Sequence, residues 1–296
     1  MFSAPDDATA QRMRTARAFA CTTLALTDLA EKPVWGYAGR TLSGAVATSA
    51  QGTGWLRVVA EHPDKAHGKL WDGPKTAQRL LPPEIPRPVL HYVHDWQAAG
   101  WAYRAELYQH MDATVISRSP VLARDPALPE AWWGKLRTAL DSLAETPTER
   151  TAVREEYIRR AVPEYTGCDV GEIEWATAHG DFHWSNLGGP DLTVLDWEGW
   201  GRAPVAFDAA QLYLYSLHVP TTAARVRQAL THILDTPAAR VAELTICAQV
   251  LQAADRTPFY KELAGPVEEY LHVKYGRTAP APFRPRSDLM MRQIWR

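Results

Sequence analysis

Residues 179–186 read His-Gly-Asp-Phe-His-Trp-Ser-Asn, and residues 194–198 read Val-Leu-Asp-Trp-Glu. The two stretches bring carboxylate, amide and imidazole side chains together in a short part of the chain. Four residues separate Asp181 from Asn186, and Asp196 follows shortly after. This stretch decides both the expected fold and the expected chemistry.

A turn is predicted between Asn186 and the apolar run before Asp196, because Pro190 and Asp191 are typical turn residues. A hairpin at this point would place Asp181, Asn186 and Asp196 at one end of two short strands. The three side chains would then lie close enough to act together.

Such a set suits phosphoryl transfer, in which one carboxylate accepts the proton of the attacking hydroxyl. A second carboxylate and an amide oxygen would hold Mg²⁺ against nucleotide phosphates, since Mg²⁺ prefers oxygen ligands. The order of Asp181, Asn186 and Asp196 matches the kinase pattern H-x-D-x-x-x-x-N followed by D. An alternative is a zinc hydrolase, because His179, Asp181 and His183 alternate and would share one face of a strand.

The motif resembles that of the aminoglycoside phosphotransferase and choline kinase-like family, which has a protein-kinase-like fold. The similarity covers residues 177–212 and includes Gly-Arg-Ala-Pro at 201–204 and Phe-Asp-Ala-Ala at 207–210. The resemblance implies a two-lobed α+β protein with ATP and Mg²⁺ as cofactors and a small-molecule hydroxyl as acceptor, such as an aminoglycoside or an amino alcohol. The expected lobes are a strand-rich, nucleotide-covering lobe at 1–108 and a helical lobe at 109–296 that carries the catalytic loop and the substrate site.

The resemblance also implies a role for each matching residue. Asp181 would be the catalytic base, and Asn186 and Asp196 would be the metal ligands. Asp208 would brace the catalytic loop, and backbone groups from Glu106 to Tyr108 would contact adenine. His179, His183 and Glu198 would support the loop or the substrate.

The N-terminal half departs from the kinase pattern, since Arg57 stands on the best strand where a kinase has Lys. Asp72 is the best acidic partner for Arg57, although the sequence favours a helix N-cap over a catalytic partner as its role. Arg57 could equally be a surface-strand residue. A G-x-G-x-x-G loop is missing from the sequence, and only Ser43-Gly44 or residues 52–54 remain to cover phosphates. A non-catalytic, nucleotide-binding pseudokinase on the same fold is therefore the alternative function.

Composition restricts the partners. The chain has 296 residues, 32 basic and 34 acidic, so a broad nucleic-acid-binding face is not expected. No apolar run approaches the roughly 20 residues of a membrane span, and the N-terminus lacks a signal pattern. With three well-separated cysteines, these features predict a cytoplasmic protein without a membrane partner. Acidic residues around the motif, at Glu172, Glu174 and Glu198, favour an amine-bearing substrate.

The pattern of apolar residues, Gly and Pro predicts the elements around the motif. Helices are expected at 6–30, 71–81, 129–143 and 148–162, and further helices from about 200 to 275. Strands are expected at 55–59, 89–93 and 101–108. The Pro- and Arg-rich segment 276–286 predicts irregular structure.

Overall fold

A computed structural model describes residues 4–48 and 52–277. The chain divides into two compact units. Unit 1 comprises residues 1–79 and 87–112, and unit 2 comprises residues 80–86 and 113–296. Most of the segment 276–286 lies outside the described residues.

Unit 1 is an antiparallel sheet with two main helices. Its elements are α1 (Asp7–Thr23), β1 (Thr27–Asp28), β2 (Val34–Trp35), β3 (Thr41–Thr48), β4 (Gly52–Glu61), α2 (Lys69–Leu80), β5 (Leu90–Ala98) and β6 (Trp101–Gln109). The strand order is β1-β3-β4-β6-β5, and β2 also pairs with β3. The three predicted strands correspond to β4, β5 and β6.

Helix α1 covers one face of this sheet. Alternate residues of β4, at Leu56, Val58 and Ala60, pack into one cluster with Met13 and Ala20 of the helix. The period of two along a strand places the intervening residues on the opposite face. There Val59 packs with Trp71 of α2.

The first helix is shorter than predicted, because the expected helix at 6–30 ends at Thr23. Arg17, which is buried, donates to both carboxylate oxygens of Asp28 at 2.8 Å. The chain must reverse after Thr23 to bring Asp28 to Arg17, and Ala25 adopts a positive φ of 51° in that turn. A tertiary ion pair thus overrides the local helix preference of this Ala- and Leu-rich segment.

Within the described residues, unit 2 consists of helices with two small sheets between them. Its elements are β7 (Thr114–Val115), α3 (Glu130–Ala144), α4 (Glu155–Thr166), β8 (Trp175–Ala178), β9 (Leu187–Gly189), β10 (Thr193–Val194), β11 (Gly201–Pro204), α5 (Phe207–Leu214), α6 (Pro220–Ala229), α7 (Thr231–Leu234), α8 (Ala239–Ala253) and α9 (Pro258–Tyr275). One of the sheets has the strand order β10-β9-β7, and the other is formed by β11 and β8. Helix α8 is buried along most of its length and packs against α4, α5 and α9.

One helix of unit 2 begins later than predicted, since α4 starts at Glu155 rather than near Thr148. Thr151 instead forms a parallel bridge with Arg202 next to β11. Backbone pairing to a distant strand is a tertiary contact that the local pattern does not reveal. Within the described residues, no helix combines the length and apolar character that crossing a bilayer requires.

Candidate active site

The motif at 179–196 lies on a loop and a hairpin inside unit 2. The loop follows β8, and β9 pairs with β10 in the register Thr193 to Gly188 and Val194 to Leu187. The pairing continues past the strands, because the Leu195 N–H donates to the Asn186 carbonyl at 2.8 Å. Asp196 therefore follows directly on a backbone contact with Asn186.

Asp181 lies at the centre of a short hydrogen-bonded loop. Its carboxylate is 3.3 Å from Nε2 of His183. The Asn186 amide nitrogen donates to the Asp181 backbone carbonyl at 2.9 Å and to the carboxylate at 3.3 Å. The Asp181 side chain keeps 28% of its surface exposed, so a ligand can still reach it.

These contacts shift the pKa values of Asp181 and His183 in opposite directions. Burial alone would raise the pKa of Asp181, but the charge and hydrogen bond of His183 and the Asn186 amide bring it below its usual value. Burial would lower the pKa of His183, but Asp181, with a further contribution from Asp196, raises it above its usual value. Each partner thus favours the charged form of the other.

His179 holds the loop in place from the protein interior. Its Nδ1 accepts a hydrogen bond from the Asp181 backbone N–H at 3.3 Å, and its Nε2 donates to the Leu195 carbonyl at 2.9 Å. Burial lowers the pKa of His179 to about 4, so the ring is neutral and each nitrogen has a protein partner.

The zinc alternative finds no support in this arrangement. Asp181 and His183 lie on a loop rather than on the expected strand, and both nitrogens of His179 are occupied. Across the described part of the chain, no group of three or more His, Cys, Asp or Glu residues is placed to hold a metal ion.

The N-terminal end of α5 braces the loop through two side chains. Asp208 is buried and accepts hydrogen bonds from the N–H groups of His179 at 2.6 Å and Gly180 at 3.0 Å. Gln211 accepts from the N–H of Phe182 at 2.6 Å. Burial raises the pKa of Asp208 to about 7 despite the two donors. Gln211 was not predicted as a site residue from the sequence, although its spacing of three from Asp208 places both residues on one helix face.

Asn186 and Asp196 offer the oxygen atoms expected of a Mg²⁺ site. The amide nitrogen of Asn186 is used toward Asp181, which leaves its oxygen for a cation. Asp196 is exposed and has a positive φ of 62°, a conformation that Asp adopts more readily than most residues. Oxygen donors of this kind fit a hard divalent ion.

Glu198 and three tryptophans in or next to the motif are buried. Glu198 is buried, and its backbone carbonyl accepts a hydrogen bond from Arg150 at 3.1 Å. Trp184, Trp197 and Trp200 are buried as well. The indole N–H of Trp197 donates to the Val194 carbonyl at 3.0 Å, which fixes it under the hairpin.

Arg57 of unit 1 has a different acidic partner from the expected Asp72. Its guanidinium is 2.8 Å from the carboxylate of Glu106, which is 1% exposed. The two residues face each other across the β4–β6 ladder. Asp72 instead accepts from the Gly68 N–H at 3.2 Å, so it caps the start of α2. The acidic partner of Arg57 is therefore Glu106 on the neighbouring strand β6 and not the expected Asp72 on helix α2.

The residues expected to contact adenine, Glu106 to Tyr108, lie within strand β6. Strand β6 lies between β4 and β5, and Glu106 is opposite Arg57 on one side and Val93 on the other. The backbone is therefore enclosed in the sheet at this point. The Tyr108 hydroxyl donates to the Glu106 carboxylate at 3.0 Å, so both side chains belong to the Arg57 cluster.

The glycines proposed to cover phosphates lie inside strands. Ser43 and Gly44 are within β3, and residues 52–54 begin β4. A Cβ at Gly44 would lie 3.2 Å from Nη2 of Arg17 and 2.5 Å from Cβ of Ala30. Gly44 thus makes room for the ion pair that anchors α1.

The strand-rich unit 1 and the helical unit 2 with its motif are typical of a protein-kinase-like fold. Solved structures confirm the predicted resemblance at the level of the fold. A thermostable mutant of aminoglycoside phosphotransferase APH(4)-Ia, in a ternary complex with ADP and hygromycin B, has a TM-score of 0.60 at 11% identity. That similarity covers 88% of this chain and 99% of the other.

Amicoumacin kinase hAmiN, in complex with AMP-PNP, Ca²⁺ and Ami, has a TM-score of 0.53 at 12% identity and covers 94% of this chain and 98% of its own. Choline kinase LicA from Streptococcus pneumoniae covers 88% of this chain and 92% of its own at 13% identity, with a TM-score of 0.49. No family model and no curated protein matches the sequence. The first two of these structures are of a phosphotransferase and a kinase, and their likeness shows that this chain has the same fold.

Proposed function

We propose that the chain is an ATP- and Mg²⁺-dependent phosphotransferase that acts on a hydroxyl group of a small molecule. The observation that carries the proposal is the hydrogen-bonded loop in which Asn186 donates to Asp181 while the Leu195 N–H ties Asn186 to the strand before Asp196. One proton acceptor and two metal-binding oxygens thus occupy one short, braced segment. The protein-kinase-like fold of unit 2 supports the same assignment.

Each residue has a distinct task in the proposed reaction. Asp181 would accept the proton of the acceptor hydroxyl as that oxygen attacks the γ-phosphorus of ATP, while the bond from this phosphorus to the bridging oxygen breaks and ADP leaves. Asn186 and Asp196 would hold Mg²⁺, which would supply positive charge against the phosphate oxygens. Asp208 and Gln211 fix the loop backbone, so the carboxylate of Asp181 needs little reorganisation before it acts.

A second candidate is the non-catalytic, nucleotide-binding protein, and the identity of the strand cation and of its partner favours it. In a kinase the strand cation is a Lys that contacts the α- and β-phosphates and pairs with a Glu of a nearby helix. Here the cation is Arg57, and Glu106 lies on the neighbouring strand β6. Nucleotide binding would then depend more heavily on Mg²⁺ at Asn186 and Asp196.

Two measurements separate the candidates. Thermal unfolding with ATP and Mg²⁺, singly and together, reports binding, and ADP release with a panel of alcohols reports transfer. The phosphotransferase predicts stabilisation by ATP with Mg²⁺ and ADP release that depends on an alcohol. Stabilisation without ADP release for any alcohol would favour the non-catalytic protein, and the absence of both would contradict the nucleotide site.

A further inference from the structure

A pocket in unit 2 opens directly beside Asp181. It lies between the loop, the start of α4, the end of α8 and the start of α9. Its lining is dominated by amide, phenol and guanidinium groups, and the residues are Ala152, Val153, Arg154, Tyr157, Gly180, Asp181, Gln211, Tyr215, Gln249, Gln252, Ala253, Arg256 and Tyr260.

The charge of this pocket differs from the sequence expectation. Among its lining residues, Asp181 is the one carboxylate, whereas Arg154 and Arg256 contribute two positive charges. Glu172, Glu174 and Glu198, which favoured an amine-bearing substrate, do not line it. The wall beyond Asp181 is therefore basic and polar.

Arg256 lines the pocket with a half-buried side chain, and one of its nitrogens has no hydrogen-bond partner among the described residues. Its Nη1 atom is inaccessible to solvent in this conformation, and among the described residues no group accepts a hydrogen bond from it. A buried charged donor without a partner is costly, which favours a rotation of the guanidinium that brings this N–H to a ligand. Because guanidinium binds carboxylate and phosphate strongly, an oxygen-bearing anion in the pocket would satisfy it.

Asp181 and Arg256 reach the pocket from different elements. Asp181 lies on the loop after β8, whereas Arg256 lies between α8 and α9. An occupant of the pocket would thus meet a carboxylate from one element and a guanidinium from another.

The hydroxyl groups of Tyr157, Tyr215 and Tyr260 in the same lining are held in fixed positions. Tyr157 donates to Gln252 at 2.9 Å, and Tyr215 donates to the Tyr260 hydroxyl at 3.3 Å. Because the Tyr260 oxygen accepts in that contact, its own hydrogen is available to a ligand oxygen. The middle of the pocket is a polar wall suited to a hydroxylated molecule.

We propose that the phosphoryl acceptor of this protein is an alcohol that also carries an oxyanion, either a carboxylate or a phosphate. The oxyanion binds Arg256, with Arg154 adding positive charge, and the hydroxyl faces Asp181. This substrate class rests on the proposed function only for the statement that the reacting hydroxyl of the acceptor faces Asp181. It replaces the expected cationic acceptor.

Binding of small probes to the nucleotide-free protein tests the pocket without any turnover. Calorimetric titrations would use D-glycerate and glycerol 3-phosphate as anionic alcohols and ethanolamine as the cationic alcohol. We expect saturable binding of at least one anionic probe and weaker or absent binding of ethanolamine. The stronger of the two anions identifies whether carboxylate or phosphate is preferred.

Three variants locate the anion. Arg256→Gln is expected to weaken the anionic probe by about tenfold or more, because a hydrogen bond to a charged group is lost. Arg256→Lys keeps the charge and should recover part of the affinity, which a merely unfolded variant would not. Arg159→Gln is the matched control, since Arg159 is 52% exposed and pairs with Glu155 on the surface.

Three results would overturn the proposed substrate class. They are equal anion affinity in Arg256→Gln and wild type, tighter binding of ethanolamine than of the anions, and no saturable binding of either anion. The outcome also separates this inference from the proposed function. ADP release with a cationic alcohol would retain the phosphotransferase and reject the anionic acceptor. Anion binding that requires Arg256, without ADP release, would retain the anion site and reject the phosphotransferase.

Discussion

The pair formed by Arg57 and Glu106 allows a quantitative test of how unit 1 is stabilised. The Glu106 side chain is 1% exposed and that of Arg57 is 16% exposed, at a separation of 2.8 Å. Removing one partner of a buried ion pair leaves an uncompensated charge and costs about 3–5 kcal/mol. We therefore expect Arg57→Met to lower the free energy of unfolding by about 3–5 kcal/mol.

A double-mutant cycle distinguishes this cost from a general packing defect. Glu106→Gln removes the buried charge, so Arg57→Met should cost about 2 kcal/mol less in that background than in the wild type. The Tyr108 hydroxyl, which donates to the Glu106 carboxylate at 3.0 Å, can satisfy the new amide oxygen. Urea unfolding of the full chain, followed by tryptophan fluorescence, measures each free energy.

The matched control is the exposed pair Arg159 and Glu155, whose side chains are 52% and 45% exposed. Its coupling energy should stay below about 1 kcal/mol, because water screens exposed charges. A loss below about 1 kcal/mol for Arg57→Met would refute the reasoning. So would a coupling energy for Arg57 and Glu106 no larger than that of the control pair.

Three further results are expected. Because burial raises the pKa of Asp208 to about 7, the folded state holds a proton that the unfolded state releases near pH 4. This group therefore makes the free energy of unfolding fall by up to about 4 kcal/mol as pH rises from about 4 to 7. Asp208→Asn should flatten this pH dependence in urea unfolding. An unchanged pH dependence would contradict the idea that burial raises the pKa of Asp208. Gly180→Ala should lower the free energy of unfolding by about 1–3 kcal/mol in the same assay. The reason is that φ of Gly180 is 83° and an added Cβ would lie 2.9 Å from the Cβ of Ala152. An unchanged free energy of unfolding would mean that the loop is free to shift. Asn186→Ala and Asp196→Ala should each raise the Mg²⁺ concentration needed for ATP to stabilise the protein in thermal unfolding, and an unchanged requirement in both variants would move the metal site elsewhere.

Local sequence patterns predicted most elements of the two units. The β5–β6 pair follows from two apolar runs around Gly100, and α3 begins directly after Pro129 as expected. The predicted bounds of a helix are wrong where contacts between residues distant in sequence determine where it ends. Helix α1 stops early because Arg17 binds Asp28, and no local propensity reports a pairing of that kind.

The candidate site was predictable to the extent that its residues are close in sequence. The turn residues Pro190 and Asp191 predicted a hairpin between Asn186 and Asp196, and the antiparallel pairing of β9 with β10 confirms it. Pocket residues such as Arg256 were missed because helices distant in sequence bring them to the loop. A single basic residue between two helices carries no local signal of its position.

The catalytic role of Asp181 is tested most directly by Asp181→Asn in the ATP-dependent transfer assay. Asp191→Asn is the control, because Asp191 is 85% exposed and forms a surface pair with Lys135. Loss of a general base typically costs 10²–10⁴-fold in rate, so we expect a decrease of about that size in kcat. Stabilisation by ATP with Mg²⁺ should stay close to that of the wild type. Undiminished phosphoryl transfer by Asp181→Asn would contradict the assignment of this loop as the catalytic centre.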